Sequence, residues 1–137
     1  MIIMGIDYGD ARTGISICDK FETLASPVTV ISQWNQDKLI DEIEKLTKEY
    51  KPELLVVGLP KNMDSSLGER AIKCQEFAAK LSEKCGIDYA MKDERLTTVS
   101  AHKALNETNT RGKNRKNIVD AVAAVMILQD FIDSRKK

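Results

Sequence analysis

The chain has 137 residues, and its 21 Lys plus Arg balance its 21 Asp plus Glu, so the formal net charge is zero. This length predicts one domain, residues 1–137, and a hydrophobic fraction of 42% is enough for a proper core. Zero net charge excludes a positive field over the whole molecule, so nucleic acid could be held only by a local basic patch. No apolar run approaches the roughly 20 residues of a membrane span, and the N-terminus does not resemble a signal peptide.

The three cysteines indicate a reducing compartment. Cys18, Cys74 and Cys85 are odd in number, widely spaced and set in apolar surroundings, which is typical of buried thiols rather than disulfides. His102 is the single histidine, and the chain has no Cys-x-x-Cys motif, so no zinc site is recognisable. We therefore expect a cytoplasmic protein without a membrane partner.

The first strand is the predicted centre of the fold. Residues 2–6 are continuously apolar and partly β-branched, which predicts a strand buried on both faces of a sheet. The run ends at Asp7, and a loop follows. A carboxylate at the tip of a rigid central strand is well placed to hold a metal ion or a reacting group. The stretch alone also fits a solvated Asp that opens a turn.

A meander and a parallel crossover are predicted next. Strands over Gly14–Asp19 and Ala25–Ile31 would follow through short turns and form antiparallel pairs. An apolar stripe at helical spacing predicts a helix over Trp34–Lys51. The apolar run Leu54–Val57 predicts a second strand buried on both faces. Strand, helix and strand without a hairpin turn indicate a right-handed parallel crossover.

Residues 58–66 are a candidate phosphate-binding loop. They lie between a buried strand and a helix, where open α/β sheets usually bind ligands, and Lys61 and Arg70 could contact phosphate beside backbone amides. An ordinary βα loop fits equally well. Ser66 and Glu69 match a capping box at the start of the next helix, whose predicted apolar stripe is Ile72, Phe77, Ala78, Leu81 and Cys85.

Two neighbouring acids follow the fifth predicted strand, Ile87–Lys92. Asp93 and Glu94 would point to opposite faces of that strand, so only one of them should converge with Asp7. Both could instead be surface charges, with Arg95 as a salt-bridge partner.

A polar segment and an apolar helix complete the chain. Residues 106–117 lack periodicity, so Glu107–Lys116 is predicted to be a loop, either solvated or a mobile clamp for substrate phosphates. The helix Ile118–Ile132 carries Asp120 near its start. A carboxylate among small apolar residues is costly unless it is paired or bound to metal, although an acid in a first turn also favours the helix dipole. The basic residues of the segment are Arg111, Lys113, Arg115 and Lys116.

The predicted element order is βββαβαβαα: a five-stranded mixed α/β sheet flanked by helices, with a short helix through Leu105 before the last one. Three acids from separate elements can meet only by folding: Asp7, either Asp93 or Glu94, and Asp120. Carboxylates are hard oxygen ligands that suit Mg²⁺ or Mn²⁺. Two such ions about 4 Å apart can activate water and stabilise the leaving oxygen of a phosphodiester, so this set indicates metal-assisted phosphodiester hydrolysis.

Four motifs resemble the YqgF family (RuvX) of the ribonuclease H-like superfamily, and the match covers essentially the whole chain. Ser65 stands where that family usually has glycine. The motifs, in order, are Gly5–Gly9 with Arg12 and Gly14, Val57–Pro60 with Asp64 and Ser66, Asp93–Thr98, and Asp120–Ala124.

The resemblance implies a ribonuclease H-like fold and a bacterial, cytoplasmic nuclease that matures the 5′ end of pre-16S ribosomal RNA. It assigns catalysis and metal binding to Asp7, Glu94 and Asp120, and so favours Glu94 over Asp93. The implied partner is nucleic acid, as a ribosomal precursor or as branched DNA, bound by a monomer or a homodimer. The candidate nucleic-acid contacts are Arg12, Lys61, Arg70, Arg111, Lys113, Arg115 and Lys116.

Other functions fit parts of the pattern. Asp7 and Gly9 with Gly14 also resemble the first phosphate loop of the actin-like ATPases, which clamp nucleotide between two such domains, so a single copy would have to dimerise. Holliday-junction cleavage is the alternative among nucleases and works through symmetric dimers. A non-catalytic RNA-binding assembly factor would bind RNA regardless of metal and of the three acids.

Overall fold

The computed structural model describes residues 1–59, 68–93 and 113–135, with the backbone alone for 113–120. Five strands form one mixed sheet in the order β3-β2-β1-β4-β5. The strands are β1 Ile3–Asp7, β2 Arg12–Cys18, β3 Ala25–Ser32, β4 Leu54–Leu59 and β5 Asp88–Asp93. The helices are α1 Gln36–Tyr50, α2 Glu69–Cys85 and α3 Lys113–Ser134.

The first strand is the central strand, as predicted. β1 pairs antiparallel with β2 and parallel with β4, while β3 is antiparallel to β2 and β5 is parallel to β4. The predicted meander followed by parallel crossovers is therefore confirmed. The short helix predicted through Leu105 lies outside the described residues.

Helices cover both faces of the sheet, which is why β1 and β4 are apolar runs. One face packs against α1 and α2, with a core that includes Met4, Ile6, Val57, Phe77 and Leu81. The other face packs against α3, with a core that includes Ile3, Val56, Ile127, Leu128 and Ile132. Because side chains alternate along a strand, Ile3, Gly5 and Asp7 all belong to the α3 face.

The start of α2 corrects two predictions. The helix begins at Glu69, and its N-cap is Gly68, which is extended and makes no side-chain cap hydrogen bond. Ser66 lies outside the described residues, and Glu69 is too early in the helix for the third position of a capping box. Ile72 is 49% exposed, because counting back three residues from buried Cys74 places Ala71, not Ile72, on the packed face.

The cysteines and the helices agree with the sequence prediction. Cys18 and Cys74 are buried, Cys85 is half-buried, and all three are free thiols. None of the helices in the described ranges is long and apolar enough to cross a bilayer.

Candidate active site

Asp7 lies at the exposed end of the central strand. Ile3 and Ile6 are fully buried, whereas Asp7 is half-buried. Its partner across the antiparallel ladder is Gly14. On the parallel side Ile6 pairs with Val57, so the same register brings Gly58 level with Asp7. Two residues without side chains thus lie next to Asp7 on the neighbouring strands.

Helix α3 approaches the sheet most closely above Gly5. A Cβ atom built on Gly5 would lie 2.8 Å from Leu128 Cβ and 3.1 Å from the Ala124 carbonyl oxygen. The Ser16 hydroxyl, from the neighbouring strand, donates a 2.8 Å hydrogen bond to that same oxygen. Both Ser16 and Ala124 are completely buried. This part of α3 is therefore fixed against β1 and β2 with no intervening side chain.

The direction of α3 brings the backbone of position 120 over the end of β1. Gln129 receives a hydrogen bond from the Ala25 amide at the far end of the sheet, while Ala124 lies above Gly5, so the helix runs antiparallel to β1. Asp120 precedes Ala124 by four residues, about 6 Å along a helix. Asp7 follows Gly5 by two residues, about 6.6 Å along a strand. The two shifts have the same direction and nearly the same size.

The helix also begins earlier than predicted. It starts at Lys113 rather than Ile118, and its first turn contains no acidic residue. Asp120 is thus about two turns inside the helix, so the alternative that it caps a first turn and favours the dipole there is wrong. Lys113, Arg115 and Lys116 belong to this helix, so that part of the predicted loop Glu107–Lys116 is helical, while Arg111 lies outside the described residues.

Asp93 is the last residue of β5, and the alternation of side chains along that strand places it on the face opposite Asp7. Lys92 pairs with Gly58, so it belongs to the α3 face together with Asp7. Met91 packs in the α1/α2 core, and Asp93 shares that opposite face because it follows Met91 by two residues. Glu94 and Lys61 lie outside the described residues.

The loop after Asp7 is held by a network that local sequence patterns do not indicate. The Tyr8 ring is buried and stacks on Phe77 with centroids 4.1 Å apart. Arg70 of α2 donates to the Tyr8 carbonyl oxygen at 2.7 Å and to Asp10 at 2.9 Å, and its guanidinium lies 5.3 Å from the centre of the Tyr8 ring. Arg70, predicted to contact phosphate, thus holds the loop next to Asp7.

Two cations of α2 share one carboxylate in this network. Lys73 makes a second ion pair with Asp10 at 3.3 Å. The hydrogen bond from Arg70, reinforced by that from Lys73, lowers the pKa of Asp10 below its ordinary 3.8. Asp10 therefore stays ionised at neutral pH and keeps Arg70 directed at the loop.

Of the three acids predicted to bind metal, only Asp7 has its side chain in the part of the chain that the structure describes. Within residues 1–59, 68–93 and 121–135 no three His, Cys, Asp or Glu side chains lie close enough to hold a metal ion. Asp7 is there, whereas the side chains of Glu94 and Asp120 are outside this part of the chain. Arg12 begins β2 and, like Ser16 four residues later, belongs to the α3 face beside Asp7.

Comparison with known proteins gives a consistent picture. A family model described as "RuvX: Holliday junction resolvase" matches residues 1–134. A protein of Lachnospira eligens named "Putative pre-16S rRNA nuclease" is 41% identical over 140 residues, covering 100% of both chains. A protein of Clostridium tetani with the same name is 43% identical over 134 residues, covering 98% of this chain and 97% of its own.

A solved structure shares the fold at low identity. T. thermophilus RuvC, in complex with a Holliday junction substrate, superposes with a TM-score of 0.64 at 13% identity and covers 99% of this chain and 96% of its own. The likeness shows a ribonuclease H-like mixed α/β sheet, as the order of elements predicts.

Proposed function

The chain belongs to the RuvX family, and from this premise we propose that it is a divalent-metal-dependent nuclease that processes the 5′ end of pre-16S ribosomal RNA. The name shared by relatives about 40% identical over their full length supports the substrate. The single structural observation that carries the chemistry is the position of Asp7, at the end of the central strand, between two glycines and under α3.

The residues around Asp7 suit a hard divalent cation. Carboxylate oxygens are the preferred ligands of Mg²⁺ and Mn²⁺. Gly14 and Gly58 add no side chain next to Asp7 on the neighbouring strands, and the Ser16–Ala124 hydrogen bond fixes the helix that also carries Asp120. Asp7, Glu94 and Asp120 would hold the ion.

Two observations support this choice of acids. The close contact of Gly5 with Ala124, together with the similar shifts along β1 and α3, supports a position of residue 120 near Asp7. Asp93 lies on the face of β5 opposite Asp7, which favours Glu94 as the acid of the pair that binds the metal ion.

When bound, Mg²⁺ or Mn²⁺ supplies Lewis-acid activation of water and stabilisation of the leaving oxygen of a phosphodiester. The contribution of the chain itself is to hold three carboxylates on rigid elements, so that little reorganisation is needed during reaction. Arg12 adds a positive charge on the same face, where it would attract a substrate phosphate.

A second candidate function is cleavage of Holliday junctions. The description of the matching family model favours it. The same metal site would serve, but a junction has two strands to be cut, so this function requires a symmetric dimer.

A substrate panel tests both functions. The chain is incubated with 5′-extended 16S precursor RNA, a four-way DNA junction and single-stranded controls, each with Mg²⁺, with Mn²⁺ or with chelator. We expect metal-dependent cleavage of the precursor RNA, abolished in Asp7→Asn. Preferred cleavage of the junction would favour the second function. Binding of RNA without cleavage under any metal would contradict both and indicate a non-catalytic assembly factor.

A further inference from the structure

Trp34 is exposed to an extent that packing does not explain. It is the single tryptophan of the chain, and its side chain is 79% exposed, more than any other large apolar side chain in the described ranges. Tryptophan is usually well buried, since it carries the largest apolar surface of any residue. An indole left in solvent is a candidate contact surface.

The backbone on both sides of Trp34 is held in place. The Gln33 amide donates to the Ala11 carbonyl oxygen at 3.0 Å. The Asn35 amide donates to the Gln33 side-chain oxygen at 3.1 Å, and the Asn35 side chain caps α1 by accepting from the Lys38 amide at 3.0 Å. The indole is therefore presented from a fixed turn, so a ligand that contacts it need not order that turn.

This turn and Asp7 lie at the same end of the sheet, where β1 and β3 end and β2 begins. β3 ends at Ser32, which pairs with Arg12 at the start of β2, and the bond from Gln33 to Ala11 joins the turn to the β1–β2 loop. Two strand spacings separate β3 from β1, about 10 Å. Trp34 thus lies at the same end of the sheet as Asp7, two strands away.

Polar and positive groups continue from this turn toward that loop. Lys80 of α2 donates to the Gln36 side-chain oxygen at 3.2 Å, and the Gln36 amide donates to the Tyr8 hydroxyl at 3.2 Å. Arg70 and Lys73 lie nearer the start of α2, and each forms an ion pair with Asp10. An exposed aromatic ring is the feature on which proteins stack the bases of single-stranded nucleic acid without reading its sequence.

We propose that Trp34 is a stacking platform for an unpaired base of the nucleic-acid substrate. It would act at the same end of the sheet as Asp7, where the nucleic-acid strand would be cut. This rests on the proposed nuclease function and adds a preference for substrates with single-stranded nucleotides near the scissile bond. Stacking on one aromatic side chain contributes enough that its removal should weaken binding by about 5- to 150-fold.

The single tryptophan makes the contact directly observable. The Asp7→Asn chain, which should not cleave, is titrated with a single-stranded RNA and with a blunt duplex of the same sequence, following both intrinsic fluorescence and the anisotropy of labelled RNA. We expect Trp34 fluorescence to be quenched by the single strand and much less by the duplex. In the same background, Trp34→Ala should weaken single-strand binding, while Trp34→Phe should keep most of it.

Phe21→Ala is the matched control. Phe21 is 74% exposed but lies in the β2–β3 turn, at the end of the sheet opposite Asp7. Its loss should therefore leave binding unchanged. Binding without quenching, equal affinity of Trp34→Ala, or no binding at all would overturn the platform. Quenching by RNA that the wild-type chain fails to cleave would instead retain the platform and refute the nuclease.

Discussion

The Ser16 hydroxyl donates a 2.8 Å hydrogen bond to the Ala124 carbonyl oxygen, joining β2 to α3 across 108 residues of sequence. Gly5 lies directly beneath this bond, and its missing side chain lets the helix approach the sheet. The distance between the strand that ends in Asp7 and the helix that carries Asp120 is thus set by one glycine and one hydroxyl. The geometry of the acids therefore depends on two residues that carry no charge.

Gly5→Ala should push α3 away from β1. The new Cβ would lie 2.4 Å from Ser16 Oγ and 2.8 Å from Leu128 Cβ, so the packed helix must shift. Overpacking of this kind costs about 1–3 kcal/mol of unfolding free energy, which urea unfolding would measure. We expect Mn²⁺ affinity, measured by calorimetry, to fall as well, since the acids are moved apart.

Gly86→Ala separates the loss of stability from the effect on the site. Gly86 has a φ of +68° and nothing near its Cβ position, so alanine there costs about 1 kcal/mol through backbone strain alone. Its stability should fall while Mn²⁺ affinity stays at the wild-type value. If Gly5→Ala binds Mn²⁺ as tightly as this control, the helix does not set the geometry of the metal site.

Asp120→Asn should leave the metal-free fold as stable as the wild type or more stable. Clustered acids repel one another without metal, which raises their proton affinity and disfavours the folded state. No offsetting gain from a first-turn position is expected, because Asp120 lies about two turns inside α3. Thermal unfolding with chelator measures the effect, and Mn²⁺ binding should weaken. A clear loss of metal-free stability would show instead that Asp120 has a structural partner.

Arg70→Ala should raise the pKa of Asp10 toward 3.8, because the Arg70 hydrogen bond is the largest cause of its lowering. A group whose pKa is lowered by folding stabilises the fold above its unfolded pKa, and this contribution is lost as pH falls through the folded pKa. The side chains are 39% and 54% exposed, so the pair contributes less than about 1 kcal/mol. Carbon-detected NMR titration of Asp10 would measure the shift; an unchanged pKa would contradict the assigned pairing.

Changing Arg111, Lys113, Arg115 and Lys116 together to Ala tests the basic segment at the start of α3. Because the molecule is neutral overall, substrate phosphates need a local positive surface. The log–log salt slope of binding should fall by about 0.7–0.9 for each phosphate that the variant no longer neutralises, while metal binding survives. If this variant keeps the wild-type affinity and salt slope, these basic residues do not contact substrate phosphates. Lys61 then becomes the next candidate for that contact.

Much of the sheet could be predicted because the residues of a strand themselves indicate whether that strand is buried. The continuous apolar runs at Ile3–Ile6 and Leu54–Val57 identify the two central strands, since only strands covered on both faces are uniformly apolar. The start of α3 was missed for the complementary reason. Residues 113–117 contain no apolar side chain, so hydrophobic periodicity gives no signal for a helix there.

The position of Asp7 at the end of β1 could be predicted, whereas the contacts that support the loop beside it could not. Asp7 follows a recognisable strand, and the family motif names its partners. The bonds from Arg70 to Tyr8 and Asp10 join residues about 60 positions apart, and no local pattern records such a pair. For this reason the sequence alone predicts Arg70 to be a phosphate contact and gives no sign of its pairing with Asp10. The contact between Gly5 and Ala124 is equally invisible without the topology.

The central claim is that Asp7, Glu94 and Asp120 form one metal site, and a comparison of three variants tests it most directly. Mn²⁺-dependent cleavage of precursor 16S RNA is measured for the wild type, Asp7→Asn, Glu94→Gln and Asp93→Asn, after circular dichroism confirms that each is folded. We predict losses of orders of magnitude for Asp7→Asn and Glu94→Gln, and a mild loss for Asp93→Asn, whose side chain belongs to the opposite face of β5. Full activity in Asp7→Asn, or a larger loss in Asp93→Asn than in Glu94→Gln, would contradict the assignment.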